Sequence, residues 1–98
     1  MHIKQIGIAG TMESSDIMIR IEPKETKGID LHLSSSVMQQ FGKQIEHIIQ
    51  STLEELDVDA ACVTATDKGA LDCTVRARVE TAAHRAAGSD QYVWRTKQ

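Results

Sequence analysis

Residues 37–56 read VMQQFGKQIEHIIQSTLEEL, and this stretch has the clearest periodicity of the chain. Its apolar side chains recur every three or four residues, which is the period of one face of an α-helix. The positions are Val37, Phe41, Ile45, Ile48, Ile49, Leu53 and Leu56. We therefore predict a long helix whose inward stripe includes Phe41 and Ile45. Ser36 and Gln39 fit a capping box at its start.

On both sides of this helix, apolar and polar residues alternate as they do in half-buried strands. Before it, one strand begins at Ile17 and is closed by Pro23, and a second covers residues 29–33. Because only a short charged turn separates them, we predict that these two strands pair as an antiparallel hairpin. After it, residues 58–66 predict a third strand, with one face formed by Ala61, Val63 and Ala65. At the start of the chain, Ile3, Ile6 and Ile8 leave room for a short edge strand.

The last element of the chain fits both the two-residue period of a strand and the period of a helix. Residues 73–79 alternate like a strand, whereas a helical stripe runs through Leu71, Val75, Val79, Ala82, Ala83 and Ala86. The alanine-rich continuation favours the helix, and Gly88 suits its C-terminal stop. We therefore predict one α+β domain over residues 1–98, ordered β-β-α-β-α. A small antiparallel or mixed sheet of three strands, or four with the edge strand, packs on two helices, and a polar tail covers residues 89–98.

Composition and charge exclude several functional classes. The 98 residues carry 11 Lys and Arg against 14 Asp and Glu, a net charge of −3, so nucleic-acid backbone binding is not expected. Three aromatic residues, Phe41, Tyr92 and Trp94, are too few for a base-stacking surface. No apolar run approaches the roughly 18–20 residues of a membrane span, and the first residues lack the apolar core of a signal peptide. We expect no membrane contact and a cytoplasmic location.

Residue types suited to catalysis do not converge in the sequence. Cys62 and Cys73 lie among apolar neighbours, so buried, reduced, packing cysteines are expected. The four histidines have no ligand spacing, so no metal site is expected. No nucleophile–base arrangement and no phosphate-binding glycine loop is recognisable. An independent enzyme is therefore not predicted.

One segment differs from the rest of the chain, the small polar stretch GTMESSD at residues 10–16. We predict an exposed, mobile loop there, with backbone freedom supplied by Gly10. Ser14 and Ser15 have no base beside them and are poor nucleophiles on their own. An exposed loop serine is nevertheless accessible to the active site of another enzyme.

Several stretches together carry a resemblance to a known family. They are GTMESSDIMI at residues 10–19, DKGALDC at 67–73 with Arg76 and Arg78 after it, and IDL at 29–31 followed by SSV at 35–37 and QFG at 40–42. With these motifs the chain resembles the acyl carrier protein (gamma) subunit of bacterial citrate lyase, from about residue 3 to residue 88.

The resemblance implies a covalently loaded carrier. The serine that matches the family's Glu-Ser-x-Asp pattern is Ser14, which would carry a 2'-(5''-phosphoribosyl)-3'-dephospho-CoA arm through a phosphodiester. The thiol of the arm holds acetyl and then citryl thioesters during cleavage of citrate to acetate and oxaloacetate. The implied partners are the alpha subunit, a transferase, the beta subunit, a citryl lyase, and the prosthetic-group transferase. The carrier itself is implied to be non-catalytic.

Alternatives stay open for the residues around Ser14. Ser15 is an adjacent hydroxyl and a rival acceptor. Glu13 and Asp16 either keep the arm away from the carrier surface or solvate the loop, with Asp16 capping a turn. The arginines of the last helix either bind an acidic partner or the phosphates of the arm, or form a solvated face; they are Arg76, Arg78 and Arg85. The rival functions are a malonate decarboxylase carrier and a non-carrier interaction module.

Overall fold

The computed structural model of the protein describes residues 1–88, which form four strands and two helices. The elements are β1 (Gly7–Ala9), β2 (Ile17–Glu22), β3 (Gly28–Ser35), α1 (Met38–Glu55), β4 (Ala60–Asp67) and α2 (Asp72–Ala86). The α+β class is confirmed, and the edge strand is present. The last element is a helix, as its alanines indicate. The predicted tail at 89–98 lies outside the described residues. Within residues 1–88, neither helix has the length and apolarity needed to cross a membrane.

The sheet has the strand order β1-β2-β4-β3, so β4 lies between the two strands that the sequence places side by side. It is antiparallel to β2 and parallel to β3. The predicted hairpin of β2 with β3 is therefore wrong. The physical reason is the connection: α1 joins β3 to β4, and a helix of this length is the crossover that parallel pairing requires. β1 extends the sheet by pairing antiparallel with β2.

The core lies between the sheet and the two helices. The inward faces of β2 and β4 are fully buried as predicted, and the same holds for the apolar stripe of α2 from Val75 onward. The members from these three elements are Ile17, Ile19, Ile21, Ala61, Val63, Ala65, Val75, Val79, Ala82, Ala83 and Ala86. Burial of each isoleucine stabilises the fold by about 1.5–3 kcal/mol. The alanines keep the layers close together.

The first turn of α1 departs from the prediction. Ile45, Ile49 and Leu53 are buried, but Phe41 is 47% exposed. Its neighbour Gly42 is buried instead, beneath the side chain of Met38. The inward stripe therefore runs along Gly42, Ile45 and Ile49, and Phe41 lies at its edge. Phe41 as a core residue is a wrong prediction.

The start of α1 also differs from the predicted capping box. The N-cap residue is Val37, and no side chain caps the helix there. The hydroxyl of Ser35 accepts a hydrogen bond from the Val37 amide at 3.1 Å and donates one to Asp67 Oδ2 at 2.8 Å. Because Asp67 holds this hydroxyl at the end of the sheet, the helix begins one residue later than Ser36 and Gln39 indicate.

One further expectation, the burial of the two cysteines, is corrected at the surface. Cys62 is only half-buried on β4, and Cys73 is exposed in the first turn of α2. In β1 the residues facing the core are Gly7 and Ala9, whereas Ile6 and Ile8 are exposed. The cause is the close approach of α2, because a Cβ at Gly7 would collide with the carbonyl oxygen of Ala82.

Candidate functional site

The candidate site is the loop at residues 10–16, where Ser14 occupies the corner of a tight turn. The Asp16 amide donates to the Glu13 carbonyl at 3.2 Å, which makes Ser14 and Ser15 the two central residues. Ser15 has a φ of 65°, in the left-handed region that turns of this kind use at their third position. Both serine side chains are exposed. Ser14 thus projects from a defined turn rather than from a featureless loop.

The turn is tied to the end of β4 by two backbone hydrogen bonds. The Ser15 amide donates to the Lys68 carbonyl at 2.8 Å, and the Lys68 amide donates to the Asp16 carbonyl at 2.9 Å. They continue the ladder between β2 and β4 beyond the pair Ile17 and Asp67. The serine loop and the Asp67-Lys68-Gly69 turn are therefore one structural unit.

Asp67 organises the β4 side of this unit. Its buried carboxylate accepts hydrogen bonds from the Gly69 amide at 3.0 Å and the Ala70 amide at 2.9 Å, in addition to the one from Ser35. These bonds fix the turn that supplies Lys68 to the serine loop. The residue types indicate a turn at Asp67-Lys68-Gly69, and the family resemblance includes the same motif, but neither assigned a role to the Asp67 side chain.

Asp16 forms a second anchor. Arg78 of α2 donates from Nε to Oδ1 at 3.0 Å and from Nη2 to Oδ2 at 3.1 Å. The Thr11 hydroxyl donates to Oδ2 and the Ile17 amide to Oδ1, each at 2.7 Å. The hydrogen bond from Arg78, followed by that from Thr11, lowers the pKa of Asp16 from 3.8 to about 2. Asp16 thus caps the loop locally, which was one of the two readings left open, and its charge is balanced by Arg78.

The three arginines of α2 all make specific contacts, while their side chains stay partly exposed to solvent. Arg76 pairs with Glu55 of α1, which raises the pKa of Arg76 and lowers that of Glu55. Arg85 donates from Nη1 to the Ile8 carbonyl at 2.7 Å. Together with Arg78, these side chains attach α2 to α1, to β1 and to the serine loop.

Gly10 begins the loop in a backbone conformation that favours glycine. Its φ is +93°, and a Cβ at this position would collide with the carbonyl oxygen of Ile17. The residue is therefore required by close packing of the loop ends as well as by the turn of the chain. Mobility of residues 10–16 stays a prediction.

A groove borders this unit on the side of α1. It encloses about 550 Å³ between Phe41, Gln44 and Ile45 of α1 and the segment 69–73. Leu71, predicted as part of the inward stripe of the last helix, is 69% exposed at its rim because it is the N-cap residue of α2. Gln44 Nε2 donates to both oxygens of Asp72, at 3.0 and 2.7 Å. Nothing in the sequence pattern indicated this groove, because its two walls lie far apart in the chain.

Comparison with known proteins gives one family and one fold. Residues 4–86 match the family model for acyl carrier proteins described as malonate decarboxylase delta subunit (MdcD). The chain is 54% identical to the citrate lyase acyl carrier protein of Streptococcus mutans over 97% of its own length and 93% of that protein. It is 55% identical to the protein of the same name from Streptococcus pyogenes serotype M4, with the same coverage.

Among solved structures, similarity extends to a chain of a Pseudomonas malonate decarboxylase hetero-tetramer in complex with malonate. The TM-score is 0.71 at 20% identity, covering 88% of this chain and 92% of that one. A homoserine kinase from Cytophaga hutchinsonii contains a similar arrangement, with a TM-score of 0.57 at 13% identity, over 36% of its length. At these identities the two structures support the fold alone.

Proposed function

Because the chain belongs to the acyl carrier protein family described as malonate decarboxylase delta subunit, and because citrate lyase carriers are its relatives at 54–55% identity, we propose that it is the acyl carrier subunit of a citrate lyase complex. Its role is that of an acyl carrier protein. The subunits proposed to use it are the alpha transferase and the beta citryl lyase. The cytoplasm is the proposed compartment, and the two free thiols of Cys62 and Cys73 suit its reducing conditions.

Ser14 is the proposed attachment residue, and the observation that carries this assignment is its place in the turn. Its side chain is exposed at the corner, while the following amide is bound to Lys68 and Asp16 is held by Arg78. A serine presented in this way can enter another active site without unfolding of the strand behind it. Ser15 is also exposed in the same turn, and the register of the Glu-Ser-x-Asp pattern is what favours Ser14 over it.

Loading is a substitution at phosphorus. The Ser14 oxygen forms an O–P bond to an activated precursor of the phosphoribosyl-dephospho-CoA arm, the bond from phosphorus to the leaving group breaks, and the hydroxyl proton passes to a base. Asp16 is a poor base for this purpose, because a carboxylate with a pKa of about 2 holds a proton only weakly near neutral pH. We propose that the prosthetic-group transferase supplies the base, in keeping with a non-catalytic role of the carrier.

Once loaded, the carrier contributes position rather than bond-making. The thiol of the arm holds acetyl and citryl groups in turn, and the covalent arm brings them to both partner active sites at high effective concentration. The structural requirement on this chain is a firm attachment point at Ser14. Two tethers of the loop supply it, namely the backbone hydrogen bonds with Lys68 at the end of β4 and the ion pair of Asp16 with Arg78 of α2.

The test is loading in the presence of the prosthetic-group transferase, followed by intact mass and peptide mapping. We expect one added group on the wild-type chain, mapped to Ser14. The Ser14→Ala variant should fold normally, remain unmodified and give no lyase turnover in the reconstituted complex. Ser15→Ala is the matched control and should be loaded. Loading of Ser14→Ala at Ser15 would overturn the assignment.

A carrier for malonate decarboxylation is the second candidate, favoured by the description of the family model and by the similar fold of the malonate decarboxylase chain. The 20% identity to that chain, against 54% to citrate lyase carriers, is the reason to place it second. Product analysis separates the two: the first predicts oxaloacetate and acetate from citrate, and the second predicts acetate and carbon dioxide from malonate.

A further inference from the structure

We propose that the groove between α1 and the segment 69–73 is the docking surface for the enzyme that loads Ser14, and that it receives an apolar side chain of that enzyme. The inference rests on the proposed function, because it takes Ser14 as the loaded residue.

The groove lies close to Ser14 through a chain of direct contacts. Ser15 follows Ser14, its amide is 2.8 Å from the Lys68 carbonyl oxygen, and the next residue, Gly69, is in the groove wall. Standard backbone dimensions then place the Cα atoms of Ser14 and Gly69 at most about 11 Å apart. The groove and the serine are therefore on neighbouring parts of the surface.

An enzyme that acts on Ser14 must also cover the carrier surface between Ser14 and Gly69. A specific interface buries about 800 Å² on each partner, which corresponds to a disc of about 16 Å radius. Centred on Ser14, such a footprint includes the edge of the groove at Gly69. Partners that act on the far end of the arm meet the thiol instead and have no such need to cover the carrier surface around Ser14. For this reason the loading enzyme is the occupant to which the geometry points.

The chemistry of the groove suits an apolar side chain. Leu71 and Phe41 are 69% and 47% exposed, although large apolar side chains are usually buried, and Ile45 adds apolar surface to the α1 wall. The polar wall groups, Gln44 and Asp72, are hydrogen bonded to each other, so an apolar group seated beside them leaves both with a partner. Exposed apolar anchors around a concavity are typical of the energetic centre of an interface.

The variant Leu71→Asp tests the proposal. Because Leu71 is exposed and is the N-cap residue of α2, where aspartate is favoured, the variant should fold. The matched control is Ile6→Asp, since Ile6 is 49% exposed but lies near the other end of α2, where the Gln5 amide binds the Ala86 carbonyl. The 15 residues of α2 separate the two sites by about 20 Å.

The readout is steady-state loading kinetics, with folding checked by thermal melts. We expect Leu71→Asp to lower kcat/KM at least ten-fold through KM, with kcat within about two-fold of wild type, and Ile6→Asp to match wild type. Phe41→Ser should repeat the KM effect. Unchanged kcat/KM in Leu71→Asp overturns the docking proposal while leaving Ser14 as the loaded residue.

Two other occupants of the groove would give different experimental results. Amide shifts confined to the groove on loading, with unchanged loading kinetics in Leu71→Asp, would identify the arm as occupant and overturn the proposal. A wild-type dimer that Leu71→Asp dissociates, again with unchanged loading, would identify a second copy of the chain and overturn it equally. A wild-type chain that is never loaded overturns the proposed function and this inference with it.

Discussion

Arg78 contacts both carboxylate oxygens of Asp16, at 3.0 and 3.1 Å, although 62 positions separate the two residues in the chain. The pair joins the serine loop to α2, and Lys68 joins the same loop to β4. The stretches that carry the family resemblance at both ends of the chain thus meet in one place, around Ser14.

The first prediction concerns this ion pair. Arg78→Ala leaves the carboxylate of Asp16 without its main donor, so we expect a loss of about 1–3 kcal/mol in the free energy of unfolding and slower loading of Ser14. Urea unfolding and loading assays measure the two effects. Arg78→Lys keeps the charge but not the two-pronged geometry and should be intermediate. Equal loading by all three chains would show that the pair has no part in presenting Ser14.

The second prediction is a pH dependence of stability. The pKa of Asp16 is about 2 in the folded chain and near 3.8 when unperturbed. A lowered pKa stabilises the folded state above the unfolded value, and this contribution is lost as the pH falls through 3.8 towards 2. Asp16→Asn should therefore be less stable than wild type at pH 7, and the gap should narrow progressively as the pH falls below 4. Urea unfolding between pH 7 and pH 3 measures it; a constant gap would contradict the assignment.

The third prediction contrasts two apolar residues of α1. Ile49 is fully buried, so Ile49→Ala should lower the free energy of unfolding by about 2–5 kcal/mol. Phe41 is half-exposed, and Phe41→Ala should cost about 1 kcal/mol or less. Thermal or urea unfolding of the two variants compares them directly. A larger loss for Phe41→Ala would mean that its ring lies inside the core.

The fourth prediction concerns the boundary of order in the serine loop. Within residues 1–88 the Ser14 amide makes no hydrogen bond, whereas the Ser15 amide is bound to Lys68. Amide hydrogen exchange in the unloaded chain should therefore be fast at Ser14, slower at Ser15 and slowest at Ile19. Protection at Ser14 equal to that at Ile19 would show that the corner of the turn is as rigid as the strand.

Local structure was predictable because it depends on local periodicity. The isoleucines of β2 and the alanines of α2 have the spacing of their elements, and the structure places them as predicted. The strand pairing was not predictable from alternation, since alternation indicates which face is buried but not which strand lies alongside. The connecting helix α1 was the available signal for the parallel pair β3 and β4.

The candidate site, too, was predictable only in part. The position of the serine loop could be predicted from its small polar residues, and the choice of Ser14 depended on the resemblance. The roles of Lys68 and Arg78 could not be predicted, because hydrogen bonds between residues more than 50 positions apart leave no local pattern. The exposure of Phe41 was missed because the helical stripe is wide, and only the packing of Gly42 beneath Met38 decides its centre.

The order of the strands has a consequence for newly made protein. Synthesis proceeds from the N-terminus, so Ser14 leaves the ribosome well before β4 and α2 exist. Until Lys68 and Arg78 have emerged and folded, β2 has no neighbour on one side and the turn has neither of its tethers. The turn at Ser14 is therefore assembled last, and a chain truncated before Lys68 exposes its serine loop without the contacts that hold it in the complete fold.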